Sequence, residues 1–198
     1  SSTKITMVAN GVVTPGSLPD RPTPKSEWTI GSVALFRPRK GVEVLIQALS
    51  NLRQMGEVVR LRAVGPFETV EYEETIKEMA ARLGVADMID WIGFAQNVNA
   101  EFAKMDVLVL PSLFGEGMPM VILEAMAMGV PVVASDVEGI PEVLQHAHTG
   151  LVVPAGDAPQ LASALFDLIN NKYNWAAMRA DAYSLQVKSF SDHSMAAG

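Results

Sequence analysis

Two glutamates stand in a stretch that is otherwise glycine, proline, methionine and other apolar residues. The stretch reads FGEGMPMVILEAMAMGVPVVAS and contains Glu116 and Glu124. Glycines flank Glu116, and glycine allows backbone turns and close approaches to a ligand that other residues forbid. Glu124 falls among apolar residues of a predicted helix, where a buried carboxylate is costly unless it is hydrogen-bonded. Two hydroxyls on adjacent carbons, as in ribose, would satisfy it; pairing with a basic residue or exposure to solvent are the alternatives.

The turn between the two glutamates has the features of an anion site. Pro119 fits the first turn of a helix, because its missing N–H would be unpaired there anyway. The N–H groups of Met118, Met120 and Val121 would then point out of the helix end, where the helix dipole favours an anion. An ordinary glycine-rich connection between a strand and a helix explains the same residues.

A second loop, RPRKG, supplies cations to a chain whose formal net charge is −7. Arg37, Arg39 and Lys40 fall within four positions, directly after an apolar run. Lys40 stands at the start of a predicted helix, where the dipole disfavours a cation unless an anion is present. A solvated basic turn is the alternative, and it suits Arg39 better than Lys40.

The elements that would position these loops alternate along the chain. Short apolar runs are followed by helical patterns, and the runs are continuous rather than alternating in polarity. This pattern is typical of a parallel sheet covered by helices on both faces. We therefore predict one doubly wound, Rossmann-like α/β domain over residues 29–198. Residues 1–28 are predicted to form a strand (ITMVA), a turn at Asn10 and Gly11, and a proline-rich linker. Ligands of such sheets bind beyond the carboxyl ends of the strands, so both loops are expected to face one site.

Composition excludes several function classes. The chain has no cysteine, which rules out disulfides, thiolate catalysis and cysteine-bound zinc. Its negative charge argues against binding nucleic acid, and no apolar run reaches the roughly 18 residues of a membrane-spanning helix. The predicted loops contain no Asp-x-Asp pair or histidine cluster; His146 and His148 stand before a later strand, and we expect no metal there. His193, near the end of the sequence, is uninformative.

The motifs together resemble glycosyltransferase family 4, also called glycosyltransferase group 1. The stretch PSLFGEGMPMVILEAMAMGVPVVASDVEGIPEVL carries the family's proline-serine, its glycine-rich glutamate loop and a second glutamate eight positions on. KGVEVLIQAL, RAVG, DWIGF, DVLVLPS and GLVVPAGDAPQLASAL extend the resemblance over about residues 30 to 185. Family members have the GT-B fold, in which two Rossmann-like domains face each other across a cleft. The resemblance implies that this chain is the C-terminal, donor-binding domain, that residues 1–28 are the crossover linker, and that an N-terminal domain precedes it.

The resemblance also implies roles for particular residues. Glu116 would lie near the hydroxyls of the donor sugar, Lys40 would contact the diphosphate, and Glu124 would hold the ribose. The remaining donor-binding positions would be Gly117, Met118, Pro119, Met120 and Val121 at the sugar or phosphate, Gly93 and Phe94 near the base, and Gly65. One position departs from the family, since Leu35 stands where an arginine is common. Arg37 either reaches the diphosphate from its own position, or that role is weakened.

The function implied is that of a retaining glycosyltransferase, expected in the cytoplasm, with membrane association through the missing N-terminal domain as an option. It would transfer a glycosyl group from a UDP-, GDP- or ADP-sugar to a sugar, lipid or other acceptor, without a cofactor or an obligatory metal. Lys40, Arg37 and the helix N-terminus would stabilise the departing diphosphate. An epimerase or phosphorylase on the same fold is an alternative, and so is a nucleotide-binding module without transfer activity. The sequence identifies neither base, sugar nor acceptor.

Overall fold

The structure of the protein is a computed structural model that describes Val12 and residues 14–190. The predicted strand ITMVA, the predicted turn at Asn10 and Gly11, and His193 lie outside the described residues.

Strands and α-helices alternate over the described part of the chain, as the sequence predicts. The strands are β1 (Trp28–Val33), β2 (Val59–Val64), β3 (Ile89–Gly93), β4 (Val107–Leu110), β5 (Val132–Ser135) and β6 (Leu151–Val153). The helices are α1 (Val42–Gln54), α2 (Val70–Arg82), α3 (Val98–Phe102), α4 (Met120–Ala127), α5 (Ile140–Val143), α6 (Ala158–Ile169) and α7 (Trp175–Ser189). The six strands are parallel and lie in the order β3-β2-β1-β4-β5-β6. The doubly wound α/β fold is therefore confirmed.

The apolar strands are explained by burial on both faces of the sheet. In β4, Val107 and Val109 pack into one hydrophobic cluster with α1 and α6, whereas Leu108 and Leu110 pack into a second cluster with α4. Successive side chains of a strand point to opposite faces, so a strand covered on both sides needs apolar residues at every position.

The two loops singled out in the sequence meet at the centre of the sheet. The strand order reverses between β1 and β4, which are neighbours although α1, β2, α2, β3 and α3 lie between them in the sequence. The N–H of Leu113 donates to the carbonyl of Arg39 at 2.8 Å. Gly41 adopts a φ of 68°, and a Cβ there would lie 2.0 Å from the carbonyl oxygen of Pro111. The loops after β1 and β4 thus touch backbone to backbone at the position where doubly wound sheets bind ligands.

Residues 14–27 form no helix or strand and lie against α7. Buried Arg179 of α7 donates to the carbonyls of Gly129 and Pro19, both at 2.6 Å, and Tyr183 donates to the carbonyl of Pro15 at 2.6 Å. The bonds to Pro15 and Pro19 hold this proline-rich segment against α7. No helix in the described part of the chain is long and apolar enough to cross a membrane.

Candidate functional site

Residues 112–118, here called the glutamate loop, connect β4 to α4. Glu116 is 7% exposed, and its Oε1 accepts hydrogen bonds from Lys40 Nζ and from Ser112 Oγ, both at 2.5 Å. Arg39 Nη1 lies 4.0 Å from the same oxygen. Oε2 of Glu116 has no polar partner among the residues that the structure describes. The two residues that the sequence assigned to sugar and diphosphate are therefore joined in one ion pair.

Glu138, on the turn after β5, holds the backbone of the glutamate loop. Its two carboxylate oxygens accept the N–H groups of Gly115 at 3.0 Å and Glu116 at 3.1 Å. These two hydrogen bonds hold the pKa of Glu138 below its ordinary value. Sequence reasoning missed Glu138: its only signal was its place after a strand at the ligand-binding edge, and an exposed glutamate in a turn is commonplace.

The start of α4 differs from the sequence prediction. Pro119 precedes the helix instead of lying in its first turn, and the N–H of Met120 donates back to the carbonyl of Met118 at 3.0 Å. The expectation that the Met120 N–H points freely out of the helix is therefore wrong. The N–H groups of Gly117, Met118 and Val121 have no acceptor within the described residues. Three backbone donors thus remain available around the first turn of α4.

Glu124 is half-buried on α4, and its carboxylate forms no hydrogen bond or ion pair with any residue in the described ranges. Burial raises the pKa of its carboxyl, and no cation lies close enough to oppose that effect. Pairing with a basic residue, one of the alternatives left open by the sequence, is thus not observed.

The basic loop is the stretch RPRKG, residues 37–41, and its arginine side chains contact two different loops. Arg37 Nη1 lies 3.4 Å from Glu68 Oε1, on the loop after β2, while its buried Nε has no partner among the described residues. Arg39 Nη1 donates to the carbonyl of Gly115 at 2.8 Å, so Arg39 contacts the glutamate loop and is not a merely solvated cation. The side chain of Leu35, at the position where the resemblance would place an arginine, is 42% exposed.

The residues expected near a base adjoin this site at the ends of β2 and β3. The N–H of Gly65 donates to the carbonyl of Gly93 at 2.7 Å, and Gly65 has a φ of 127°. A Cβ at Gly65 would lie 1.8 Å from the carbonyl oxygen of Ala34, so only glycine allows these loops to approach. Phe94 follows with a side chain that is 78% exposed.

A cleft of about 570 Å³ opens beside the glutamate loop. Its walls include Glu116, Met118, Glu138 and, from the end of α7, Phe190. The volume is in the range of small-molecule sites. Within the described residues, no group of three or more histidine, aspartate or glutamate side chains could hold a metal ion. Carboxylate oxygens and free N–H groups side by side can bind several hydroxyls of one ligand.

Comparison with known proteins gives a consistent family assignment. The family model described as glycosyl transferases group 1 matches residues 17–184. The chain is 36% identical over 149 residues to the phosphatidyl-myo-inositol mannosyltransferase of Mycobacterium leprae, which covers 72% of this chain and 38% of that protein. It is 34% identical over 160 residues to the GDP-mannose-dependent alpha-(1-6)-phosphatidylinositol monomannoside mannosyltransferase of Mycobacterium tuberculosis, which covers 77% and 41%.

A similar solved structure is that of Anabaena HepE in complex with UDP-glucose. It has a TM-score of 0.80 and 26% identity to this chain, and the match covers 85% of this chain and 46% of HepE. The chain thus spans less than half the length of each of these three proteins.

Proposed function

The chain belongs to the group 1 glycosyl transferases, as its motifs indicated, and on that premise we propose that it is the donor-binding domain of a glycosyltransferase. The donor would be a nucleoside-diphosphate sugar, bound between the glutamate loop, the basic loop and α4. Two similar proteins support this class of donor: the mannosyltransferase of Mycobacterium tuberculosis is named as GDP-mannose-dependent, and the HepE structure is a complex with UDP-glucose.

One observation supports the proposal most strongly: the half-buried carboxylate of Glu124 has no partner in the described part of the chain, and backbone N–H groups without an acceptor there precede it in the sequence. These N–H groups are those of Gly117, Met118 and Val121, on the same loop and helix. A ligand with a vicinal diol next to an anionic or hydroxylated group would satisfy both. A nucleoside-diphosphate sugar has ribose hydroxyls, phosphates and sugar hydroxyls in that succession.

The roles follow from the donor and acceptor capacity of each group. Glu124 would accept the ribose hydroxyls, and Oε2 of Glu116 would accept a sugar hydroxyl. Lys40 already bonds Glu116, but an ammonium has three N–H donors, so it can hold a diphosphate oxygen at the same time. As the anomeric bond breaks, Lys40, Arg37 and the N-terminus of α4 would stabilise the negative charge on the leaving diphosphate. We further propose that transfer retains the anomeric configuration and requires no metal.

The domain organisation remains part of this proposal. Residues 1–28 would be the linker and residues 29–198 the Rossmann-like donor domain of a longer, two-domain enzyme. That the chain spans less than half of its curated relatives supports this division. The acceptor, be it a sugar, a lipid or another molecule, would bind with the N-terminal domain.

Calorimetry on the 198-residue chain tests the proposal. UDP, GDP or ADP should bind, and Glu124→Ala should weaken that binding more than Glu116→Ala does, because the ribose contact belongs to the nucleotide and the sugar contact does not. No binding of any of the three at millimolar concentration would overturn the proposed donor site. Equal losses in the two variants would overturn the division of roles between the glutamates.

Transfer is tested separately from binding. With an N-terminal domain and an acceptor supplied, nucleoside diphosphate should be released from the donor only when the acceptor is present. The chain alone should bind the donor without turning it over. Acceptor-independent conversion would favour an epimerase or a phosphorylase, and binding without conversion in the two-domain protein would favour a nucleotide-binding module.

A further inference from the structure

Glu138 has a backbone conformation that its residue type does not favour. Its φ is 28°, in the left-handed region where a side chain crowds the backbone and glycine is the usual residue. What distinguishes this glutamate is its side chain, since its two oxygens accept the N–H groups of Gly115 and Glu116. A carboxylate that accepts two backbone N–H groups makes charge-assisted hydrogen bonds, which are stronger than neutral ones. The strained backbone is thus compensated by a clamp on the glutamate loop.

The neighbouring glycine completes the clamp. The N–H of Gly139 donates to the carbonyl of Glu116 at 3.2 Å. A Cβ at Gly139 would lie 2.1 Å from the carbonyl oxygen of Gly117, so the turn after β5 lies directly against the backbone of the glutamate loop. Both the N–H and the carbonyl of Glu116 are therefore held by the pair Glu138-Gly139.

Most polar groups of Glu116 are held by hydrogen bonds within the protein. Its backbone is held by the clamp, and its Oε1 is held by Lys40 and Ser112. Oε2 has no partner among the described residues, and neither do the next two N–H groups in the chain, those of Gly117 and Met118. The clamp holds the chain up to Glu116, and the groups available to a ligand follow directly. It therefore determines the direction in which Oε2 of Glu116 and the N–H groups of Gly117 and Met118 point.

We propose that Glu138 is a positioning residue that fixes the glutamate loop so that Glu116 Oε2 and the N–H groups after it meet the sugar part of the donor. This inference rests on the proposed donor site. Glu138 acts through Glu116 and not on the nucleotide, for which the assigned contacts are Glu124, Lys40 and the loops after β1, β2 and β3. Loss of the clamp therefore weakens binding of the sugar moiety and leaves binding of the nucleoside diphosphate nearly unchanged.

The experiment compares two ligands that differ only in the sugar. Calorimetry on the 198-residue chain measures the affinities for UDP and UDP-glucose, and for GDP and GDP-mannose. In Glu138→Gly the affinity for the nucleotide sugar should fall about tenfold, as expected for the loss of bonds to a charged group, while that for the nucleoside diphosphate changes less than about twofold. This variant suits the positive φ, so it removes the clamp without adding backbone strain.

Glu142→Gln is the matched charge control. Glu142 lines the same cleft, and its carboxylate has no hydrogen-bond partner within the described ranges, so the variant removes one negative charge and no bond. Glu138→Gln removes the same charge but places an amide N–H₂ against one of the two loop N–H groups. It should lower the affinity for the nucleotide sugar relative to the nucleoside diphosphate, and more strongly than Glu142→Gln does. Amide exchange at Gly115 and Glu116 should accelerate in Glu138→Gly and stay unchanged in Glu142→Gln.

Three results would overturn the inference. Unchanged affinities for both ligands in Glu138→Gly would show that the clamp does not act on the sugar. An equal loss for both ligands would indicate general loosening of the domain, and an equal effect of Glu138→Gln and Glu142→Gln would indicate charge alone. If the unaltered chain binds none of the four ligands, the proposed function itself is overturned.

Discussion

Glu116 and Glu124 stand eight positions apart, yet their surroundings are opposite. Glu116 is bonded through Oε1 to Lys40 and Ser112, and its backbone is clamped by Glu138. Glu124 is half-buried without a partner in the described part of the chain, and burial raises the pKa of its carboxyl. One carboxylate is thus held in place by the protein alone, whereas the other carries an unsatisfied charge.

The two glutamates differ in whether the protein or a ligand supplies the partner of the carboxylate. A charged carboxylate that is partly removed from water lowers the stability of the fold unless a partner compensates it. Around Glu116 the protein supplies that partner itself, so the arrangement is rigid before a ligand arrives. Around Glu124 a ligand would supply it, and the free energy regained there would add to the affinity. Removing a partner of the Glu116 carboxylate should therefore lower the stability of the fold, whereas removing the charge of Glu124 should weaken ligand binding without lowering stability.

The largest effect on stability is expected from Lys40→Met. Breaking a mostly buried ion pair leaves the Glu116 carboxylate with only the Ser112 hydroxyl and the more distant Arg39, which should lower the free energy of unfolding by about 3 kcal/mol. Urea denaturation measures it. Lys77→Met is the matched control, because the pair of Lys77 with Glu73 has the same 2.5 Å distance but is exposed, and should contribute less than about 1 kcal/mol. Similar losses in the two variants would show that the Lys40–Glu116 pair is no more important than a surface pair.

Ser112→Ala should have the next largest effect. Ser112 is fully buried, and its hydroxyl donates to the same oxygen of Glu116 as Lys40 does. Removing one donor to a charged group while the lysine remains should cost about 1.5 kcal/mol in the free energy of unfolding. Thr75→Ala, which removes an exposed hydroxyl bonded to the carbonyl of Glu71, should change it by less than about 0.5 kcal/mol. Equal effects would contradict the view that Glu116 needs both donors.

Glu124→Gln should act in the opposite direction and stabilise the chain. The amide avoids a half-buried charge, so the free energy of unfolding near neutral pH should rise by about 1 kcal/mol, while affinity for nucleoside diphosphates falls. Because burial raises the folded-state pKa above the ordinary value of 4.5, the unfolded chain ionises first as the pH rises. The unaltered chain therefore loses stability as the pH rises from below 4.5 through the raised folded-state pKa. The advantage of Glu124→Gln should vanish in acid and be complete above that range.

Glu138→Gln provides the contrasting pH dependence. Hydrogen bonds from Gly115 and Glu116 lower the folded-state pKa of Glu138 below 4.5, so its stabilising contribution is present above 4.5 and is lost as the pH falls through the lowered value. Thermal unfolding across the acid range should show Glu138→Gln less stable than the unaltered chain near neutral pH and equal to it in acid. Parallel pH profiles for the two variants would contradict the contrast between the clamp and Glu124.

The sequence predicted the fold and the edge of the sheet that carries the site, because continuous apolar runs and helical spacing reflect burial that is repeated along whole elements. It also placed the basic loop and the glutamate loop together, since both follow strands. It did not predict that Lys40 pairs with Glu116, that Glu138 holds the loop, or that Met120 turns its N–H back to Met118. These features depend on the path of single turns and on which of several nearby partners a side chain reaches, and spacing carries no information on either.

The smallest effect on stability is expected from Arg37→Ala, although Arg37 was assigned to the diphosphate. Its contact with Glu68 is 3.4 Å long and exposed, so the free energy of unfolding should change by less than about 0.5 kcal/mol. A guanidinium has five N–H donors, and this single long contact leaves most of them available to a phosphate. Calorimetry should therefore show nucleoside diphosphate binding weakened about fivefold, the loss of one exposed charge contact with a phosphate. Adding Leu35→Arg should restore it, because that exposed position is where the family resemblance places an arginine. Unchanged binding in Arg37→Ala would remove Arg37 from the site and leave Lys40 as the cation of the diphosphate.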